Sequence, residues 1–426
     1  MIKKCIVIGG GIAGLTSAAY LTNKGFSVTL LESTPKLGGR AYSFKDQISN
    51  DVIDNGQHIL MGCYTNTLKF IKLIGAEDNF IFQKYLEINF LKSGSSPIKL
   101  KSFGVLYPLN ILFGLLHFKA ITFRDRVSII RFMIKIPIVS SKRLKDRNVR
   151  EWLESENQSE EVIKSLWQII AVGALNTDIE NASAVTFRDI LIQIFFSGNF
   201  SSTIILPKYG LSQSYVNDAV KFIEKNNGIL QLSSSVEELV ISENNIVEIT
   251  TTKKKYKDFD YVILAVPLYS LRKLLPDEIT PDINFEYSSI LNVHIWLKNN
   301  PLTEPFYGLI DSPVHWIFNK DSHINIVISN ANHLMEKTAD EIYELCMREL
   351  KLFTVILESD VQYFKVLKEK RATFIPANQI INSRPSSNTK INNLFLAGDW
   401  TDTGLPSTIE SAVKSGKIAA EHVNGS

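Results

Sequence analysis

Ile6-Val7-Ile8-Gly9-Gly10-Gly11-Ile12-Ala13-Gly14 begins the most informative stretch of the chain, which runs on to Arg40. The apolar run Cys5 to Ile8 reads as a buried parallel strand. Gly9, Gly11 and Gly14 then form a Gly-x-Gly-x-x-Gly turn into a helix, whose positions Ala13, Ala18 and Leu21 suit close packing on a sheet. Gly25 follows, and a second strand, Val28 to Leu31, ends on Glu32. In such a turn the first glycine permits the bend, the second lets backbone approach a pyrophosphate, and the third lets helix and strand pack closely. The helix N-terminus then faces the phosphates. Glu32, 18 residues beyond Gly14, stands where a carboxylate takes both hydroxyls of an adenosine ribose.

A glycine turn alone is a weak signal, but strand, turn, helix, strand and acid occur here in the required order. Leu37-Gly38-Gly39-Arg40 adds a second glycine pair and a fixed cation, which suits a ligand longer than a mononucleotide. Taken alone, those four residues are also compatible with a glycine turn and a solvated arginine.

The chain has 426 residues, 45% of them hydrophobic, enough for a large core and an expected two domains. Its net charge of +2 implies no nucleic-acid partner. Cys5, Cys63 and Cys346 lie far apart and fit neither a disulfide framework nor a zinc motif, so a reducing cytoplasm is the simplest setting. Met-Ile-Lys-Lys could mimic the start of a signal peptide, but Gly9 to Gly11 interrupt the apolar stretch, and the Asn-x-Ser triplets at Asn157, Asn181 and Asn199 carry no expectation of glycosylation. Seven scattered histidines include no close pair of metal-ligand type, and no metal is expected.

After Arg40, the polar cluster Asp54-Asn55-Gly56-Gln57-His58 leads into Ile59 to Met61. With the glycine fingerprint, Glu32 and Gly38-Gly39-Arg40, it resembles the flavin amine oxidase and phytoene desaturase superfamily. Within that group the run Asp54 to Tyr64 is similar to the squalene-associated flavoenzymes, the hydroxysqualene dehydroxylases. Ala174-Leu175-Asn176-Thr177 and Lys368 to Phe374 resemble the same family, though the chemistry of the former cannot be derived from its residues.

Between these segments, 64–75 reads as helical, with Tyr64, Leu68 and Ile71 on one face. Phe103 to Phe118 is uncharged with His117 neutral, yet too short and too rich in Gly and Pro for a transmembrane helix. Residues 119–150 hold ten Lys or Arg against Asp125 and Asp146, with Val127, Ile130, Ile134 and Ile138 at helical spacing. That pattern fits a surface resting on an anionic membrane as well as it fits a helical lid with a solvated basic face. Residues 161–196 continue helical and largely apolar. At Pro207-Lys208-Tyr209-Gly210-Leu211 the chain turns back to the nucleotide domain through a helix bearing Tyr215, Ala219, Phe222 and Ile223 and strands near 229–232, 236–251 and 260–266. Leu291, Val293, Ile295 and Leu297 alternate with Asn292, His294 and Trp296, the mark of a half-buried strand. Strands at 314–318, 324–328 and 361–366 and a helix at 339–353 complete an expected antiparallel sheet over a cavity, with His294, His315 and Trp316 as candidate lining residues, though a satisfied or solvent-facing histidine is the commoner case for each histidine.

The second strong signal is Ala397-Gly398-Asp399-Trp400-Thr401-Asp402-Thr403-Gly404-Leu405-Pro406-Ser407-Thr408-Ile409-Glu410, after an apolar strand and before a helix with Ala412, Ser415, Gly416 and Ala419. It makes FAD the expected dinucleotide. The resemblance implies that Asp399, beside Gly398, holds the ribityl-pyrophosphate, that backbone at Thr408 and Ile409 faces the flavin ring, and that Val236 passes the adenine. The expected fold class is α/β: a Rossmann-like FAD-binding domain of the glutathione-reductase type over 1–65, 203–268 and 388–426. An α+β substrate domain over 66–202 and 269–387 adds the antiparallel sheet and a helical lid, with 103–150 as its membrane-facing part.

The resemblance further implies a hydrophobic isoprenoid substrate, hydroxysqualene, which loses its hydroxyl while reduced flavin delivers hydride, giving squalene. Such a step needs protonation of the leaving oxygen, exclusion of water and a close hydride donor. Asp402 is the first choice for the proton source, from its place between two flavin-motif segments, with His58 and Glu410 as alternatives. Each also has a structural reading: a loop cap, a flavin support and a complement to a helix N-terminus. A phytoene-type desaturase, a flavin amine oxidase and a flavin-binding membrane protein without turnover remain alternatives. The external electron donor is not identified by any residue pattern, and the expected location is cytoplasmic, peripheral on the membrane face.

Overall fold

The structure, a computed structural model, describes residues 2–105 and 107–425; Met1 and Ser426, at the outer bounds of the expected nucleotide domain, and Leu106, inside the uncharged stretch, lie outside them. Distant pieces of chain build one five-stranded parallel sheet. Lys4–Ile8 is its centre, with Ser27–Leu31 and Ile229–Gln231 on one side and Tyr261–Leu264 and Leu394–Leu396 on the other. A parallel sheet needs both faces covered. Helices Ile12–Asn23 and Ile409–Gly425 pack with Val7, Leu30 and Ile263 on one face, and the small antiparallel sheet of Val236–Ser242, Asn245–Thr251 and Lys255–Tyr256 covers Ile6, Ile8 and Val262 on the other.

The two helices touch at backbone distance. Ser17 Oγ donates to the Gly416 carbonyl at 2.9 Å, and a Cβ on Gly416 would fall 2.2 Å from the Ala13 carbonyl oxygen. The small residues Ala412, Ser415, Gly416 and Ala419 are therefore a packing requirement of this crossing.

The second body is a seven-stranded sheet in the order Val361–Phe374, Tyr287–Leu297, His323–Ile328, Trp316–Asn319, Phe306–Leu309, Glu87–Leu91, Ile98–Lys101. It corrects the expectation of an antiparallel sheet: Phe306–Leu309 runs parallel to Glu87–Leu91, so the sheet is mixed. Parallel neighbours need a long crossover, and here the helical segment together with the return through the five-stranded sheet supplies it. Helix Ala339–Phe353, started by a capping box between Thr338 and Glu341, covers the outer face through Ile342, Cys346 and Leu350. On the inner face a layer of helices from Leu109–Leu116 to Ala184–Phe195 packs around edge-to-face aromatic pairs of Phe132, Trp152, Trp167 and Phe187.

Strand Tyr287–Leu297 is not half-buried, because its polar row is covered too. Asn292, His294 and Trp296 are buried beneath the segment 46–56, where Asn292 Nδ2 donates to the Asn55 carbonyl at 3.2 Å and Trp296 Nε1 to Asp51 Oδ2 at 2.6 Å, while Lys365 pairs with Asp46. His294 bonds through Nδ1 to His323 Nε2 at 3.1 Å and faces this buried layer rather than a cavity.

Candidate flavin and substrate site

Gly9 follows the central strand with φ +110°, a conformation that favours glycine. A Cβ on Gly14 would lie 1.9 Å from the Gly9 carbonyl oxygen, so helix and turn meet without space for a side chain. Gly11 differs, since the nearest atom to a Cβ there is Gly39 Cα at 3.9 Å, leaving its backbone approachable from the groove. Gly38 N donates to the Gly10 carbonyl at 2.9 Å, and a parallel bridge joins Gly38 to Gly11, which brings Gly39 and Arg40 over the turn. Glu32 is half-buried at the rim; one oxygen accepts from Gly10 N at 2.7 Å and the other from Thr34 N at 2.8 Å. Val236 packs against the group of Ile8 and Leu31 at the strand ends.

Asp399 is buried at the mouth of this turn. One oxygen accepts from Arg40 Nη2 at 2.6 Å and the other from the Ser407 hydroxyl, while Arg40 Nη1 donates to the Ala372 carbonyl at 2.7 Å. Asp399 chiefly holds the Arg40 guanidinium above its ordinary value. The two residues were expected as separate ligand contacts, and the structure joins them directly. Thr408 Oγ1 accepts from Ser411 N at 3.2 Å and caps the helix that begins at Ile409, so a helix N-terminus opens at the position expected for the ring.

Sequence reasoning missed Arg384. Its guanidinium is buried and donates from Nη1 to the carbonyl of Leu405 at 2.7 Å, with the Asp399 carbonyl at 3.5 Å, fixing the loop between them. Burial holds it below its ordinary pKa. Its only local sign was an Arg-Pro pair outside the recognised motifs.

The three proton-source candidates belong to different surroundings. Asp402 is exposed; its Oδ1 accepts from Gly404 N at 3.3 Å and lies 3.8 Å from Arg384 Nη2, which closes the loop. Glu410 is buried and accepts four bonds, from N and Nδ2 of Asn66 at 3.0 and 2.8 Å and from N and Oγ1 of Thr67 at 2.8 and 2.7 Å. It caps helix Thr65–Leu73, whose own N-cap residue, Tyr64, supplies no side-chain bond. His58 is half-buried, and burial pushes its imidazole down to about 4, leaving it neutral at physiological pH. Asp54 anchors the segment carrying His58 by accepting from Ser43 Oγ at 2.7 Å, Leu211 N at 2.8 Å and Gln57 Nε2 at 3.2 Å.

Half-buried Ile59, Met61 and Cys63 gather with Ile170 and Ala174 of the helical layer and Ile290 and Trp316 of the sheet around one apolar core. Asn176, in the left-handed conformation at a helix end, ties that layer to the sheet: its Nδ2 donates to Thr373 Oγ1 at 3.0 Å and its Oδ1 accepts from Asn330 N at 2.7 Å. Among the described residues no cluster of three or more His, Cys, Asp or Glu is arranged to hold a metal.

A dinucleotide turn beside an apolar wall, closed by a second glycine pair and a distant strand-loop-helix, defines an oxidoreductase that uses a long nucleotide cofactor. The chain belongs to the flavin containing amine oxidoreductase family, whose profile matches residues 12–424. Its cofactor is FAD, and the cradle fits it: Gly11 leaves backbone open to a diphosphate and Asp399 with Arg40 sits beyond it. The chain is 27% identical to the hydroxysqualene dehydroxylase of Zymomonas mobilis, covering 97% of both proteins. It is 23% identical to the 15-cis-phytoene desaturase of Glycine max, covering 98% of this chain and 79% of that one. Among solved structures, an oxidoreductase from Methanosarcina mazei superposes with a TM-score of 0.77 at 15% identity, covering 99% of this chain and 100% of that one, a likeness of fold.

Proposed function

We propose that this enzyme reductively dehydroxylates an isoprenoid alcohol, hydroxysqualene, to squalene. The observation that carries the proposal is the end-to-end similarity to hydroxysqualene dehydroxylases, joined here to an apolar wall beside the cradle. Reduced FAD supplies the hydride. Gly9, Gly11 and Gly14 seat the diphosphate, Glu32 takes the ribose, Val236 flanks the adenine, Asp399 and Arg40 hold the ribityl end, and backbone at Thr408 and Ile409 meets the ring. Ile59, Met61, Ile170 and Trp316 exclude water from the allylic centre as the hydroxyl departs. His58, held neutral by burial, is favoured to orient that hydroxyl by a hydrogen bond, because it lies on the segment leading into Ile59, whereas Glu410 is committed to a helix cap and Asp402 to a surface loop; the proton that lets the hydroxyl leave as water comes from solvent.

In this reading residues 1–65, 203–268 and 388–426 form a Rossmann-like FAD domain of the glutathione-reductase type, and the rest is a substrate domain whose helices act as a lid. Part of that lid rests on an anionic membrane. In helix Phe123–Lys135 the core face is Ile129, Phe132 and Met133, while Phe123, Ile134 and, beyond the helix, Ile138 are exposed at 68%, 58% and 79% beside exposed Arg124, Arg131 and Lys135. No helix among the described residues is long and apolar enough to cross a membrane. Replacing Ile134 and Ile138 by serine is expected to abolish pelleting with anionic liposomes at low salt, and a parent protein that fails to pellet removes the membrane reading.

A phytoene desaturase is the second reading, supported by the plant relatives. Anaerobic incubation with reduced flavin and hydroxysqualene, then with oxidised flavin and phytoene, separates the two by product mass. Squalene from the first and unchanged phytoene from the second is expected; the reverse overturns the proposal.

A further inference from the structure

We infer that Arg371 binds the diphosphate of FAD, reaching it from the edge strand of the seven-stranded sheet. Arg371 is exposed on Val361–Phe374, its guanidinium 4.6 Å from the ring centre of Tyr269 and 5.9 Å from that of Tyr287. Among the described residues no carboxylate is ion-paired with it.

Both rings stand at the cradle. Tyr269 follows Ala265 and Val266 by a few residues; the Ala265 carbonyl oxygen lies 2.4 Å from where a Cβ on Gly9 would be, and the Val266 carbonyl accepts from Trp400 Nε1 at 3.0 Å. The Tyr287 hydroxyl, raised chiefly by burial, is raised further by Asp399 and lowered by both Arg40 and Arg371, so it is within reach of all three charges. The strand is already fastened here, since the Ala372 carbonyl receives Arg40 Nη1 at 2.7 Å.

Charge completes the case. A diphosphate brings two negative charges into the groove, yet Arg40 is answered by Asp399, and Arg384 is buried behind the loop after Asp399, with Nη1 on the Leu405 carbonyl and Nη2 3.8 Å from Asp402. Beside them, Arg371 has only aromatic company among the described residues. A guanidinium held over the Tyr269 ring keeps its donors free at the edge, where a planar fork can meet two phosphate oxygens. The inference rests on the flavin assignment and not on the lipid substrate, so its test reads cofactor release and no product.

FAD release from the holoenzyme is followed by the recovery of flavin fluorescence on dilution, at low and high salt. Arg371→Gln is expected to release FAD about tenfold faster at low salt, with the gap narrowing at high salt as screening weakens the lost contact. Tyr269→Phe, which keeps the ring face, should stay near the parent rate, and Arg371→Lys should fall between. Release from Arg371→Gln at the parent rate overturns the inference. So does faster release that is insensitive to salt and equal in Arg371→Lys, which would assign the effect to strand packing.

Discussion

Around the five-stranded sheet, elements meet backbone to backbone: Gly14 against Gly9, Gly416 against Ala13, Gly39 against Gly11. The seven-stranded sheet meets the same cradle through side chains instead, with Asn292, Trp296 and Lys365 reaching Asn55, Asp51 and Asp46. A backbone contact has no rotamer with which to adjust, whereas a side-chain contact can be redrawn by many residues. The first kind therefore demands glycine at fixed spacing, and the second leaves little trace in local sequence.

The sharpest way to break this contrast is Gly14→Val. A Cβ placed 1.9 Å from a carbonyl oxygen cannot be relieved by a rotamer, so a loss of about 3 kcal/mol or more is expected, with little bound flavin. Thermal unfolding and the flavin-to-protein absorbance ratio check it; a normally loaded variant would show that the turn yields. Glu410→Gln comes next. Removing the carboxylate's charge from the Asn66 and Thr67 bonds should cost about 2 kcal/mol while turnover per bound flavin is kept. Turnover lost at unchanged stability would instead make Glu410 an acid in the reaction.

A smaller, graded effect comes from the polar row. Burial pushes His294 to about 3 and His323 to about 4, both below the ordinary histidine value of 6.5. The unfolded chain takes up those protons first, so stability is full above about 6.5, falls as pH drops towards about 4, and levels off below the folded values. The slope in that window is about 1.4 kcal/mol per pH unit for each histidine. Urea midpoints across it should fall less steeply in His294→Gln. The smallest effect is expected for Asp402→Asn, whose turnover should stay within about twofold; a loss of about a hundredfold with FAD retained would restore it as the proton source.

Legibility in the sequence follows the same division. The three glycines, Glu32 at the end of its strand, helix Ala339–Phe353 and the strand before Gly398 all report local constraints, and each is found where spacing put it. Glu410 was visible as an acid near a helix start, but its partners lie 343 and 344 residues away, so its capping duty was not. Arg384 and Arg371 are defined by what folds around them. Strands Glu87–Leu91 and Ile98–Lys101, which pair with each other, were missed because they are short and hold lysines and glutamate, and the strand that joins them to the sheet, Phe306–Leu309, comes from far along the chain. Asn176 was quoted without a role, since a left-handed cap serving a sheet has no local signature.

The position of Leu394–Leu396 in the first sheet bears on how the enzyme is made. During translation the turn at Gly9 emerges well before the strand that pairs with Tyr261–Leu264, the Asp399 loop and helix Ile409–Gly425. Until then the Tyr261–Leu264 edge is unpaired and the small-residue face of helix Ile12–Asn23 is bare, a partly built sheet prone to wrong partners. Flavin capture thus waits for the segment from residue 394 onward, and a ribosome stalled before it would carry a chain with its fingerprint formed and its cofactor site incomplete.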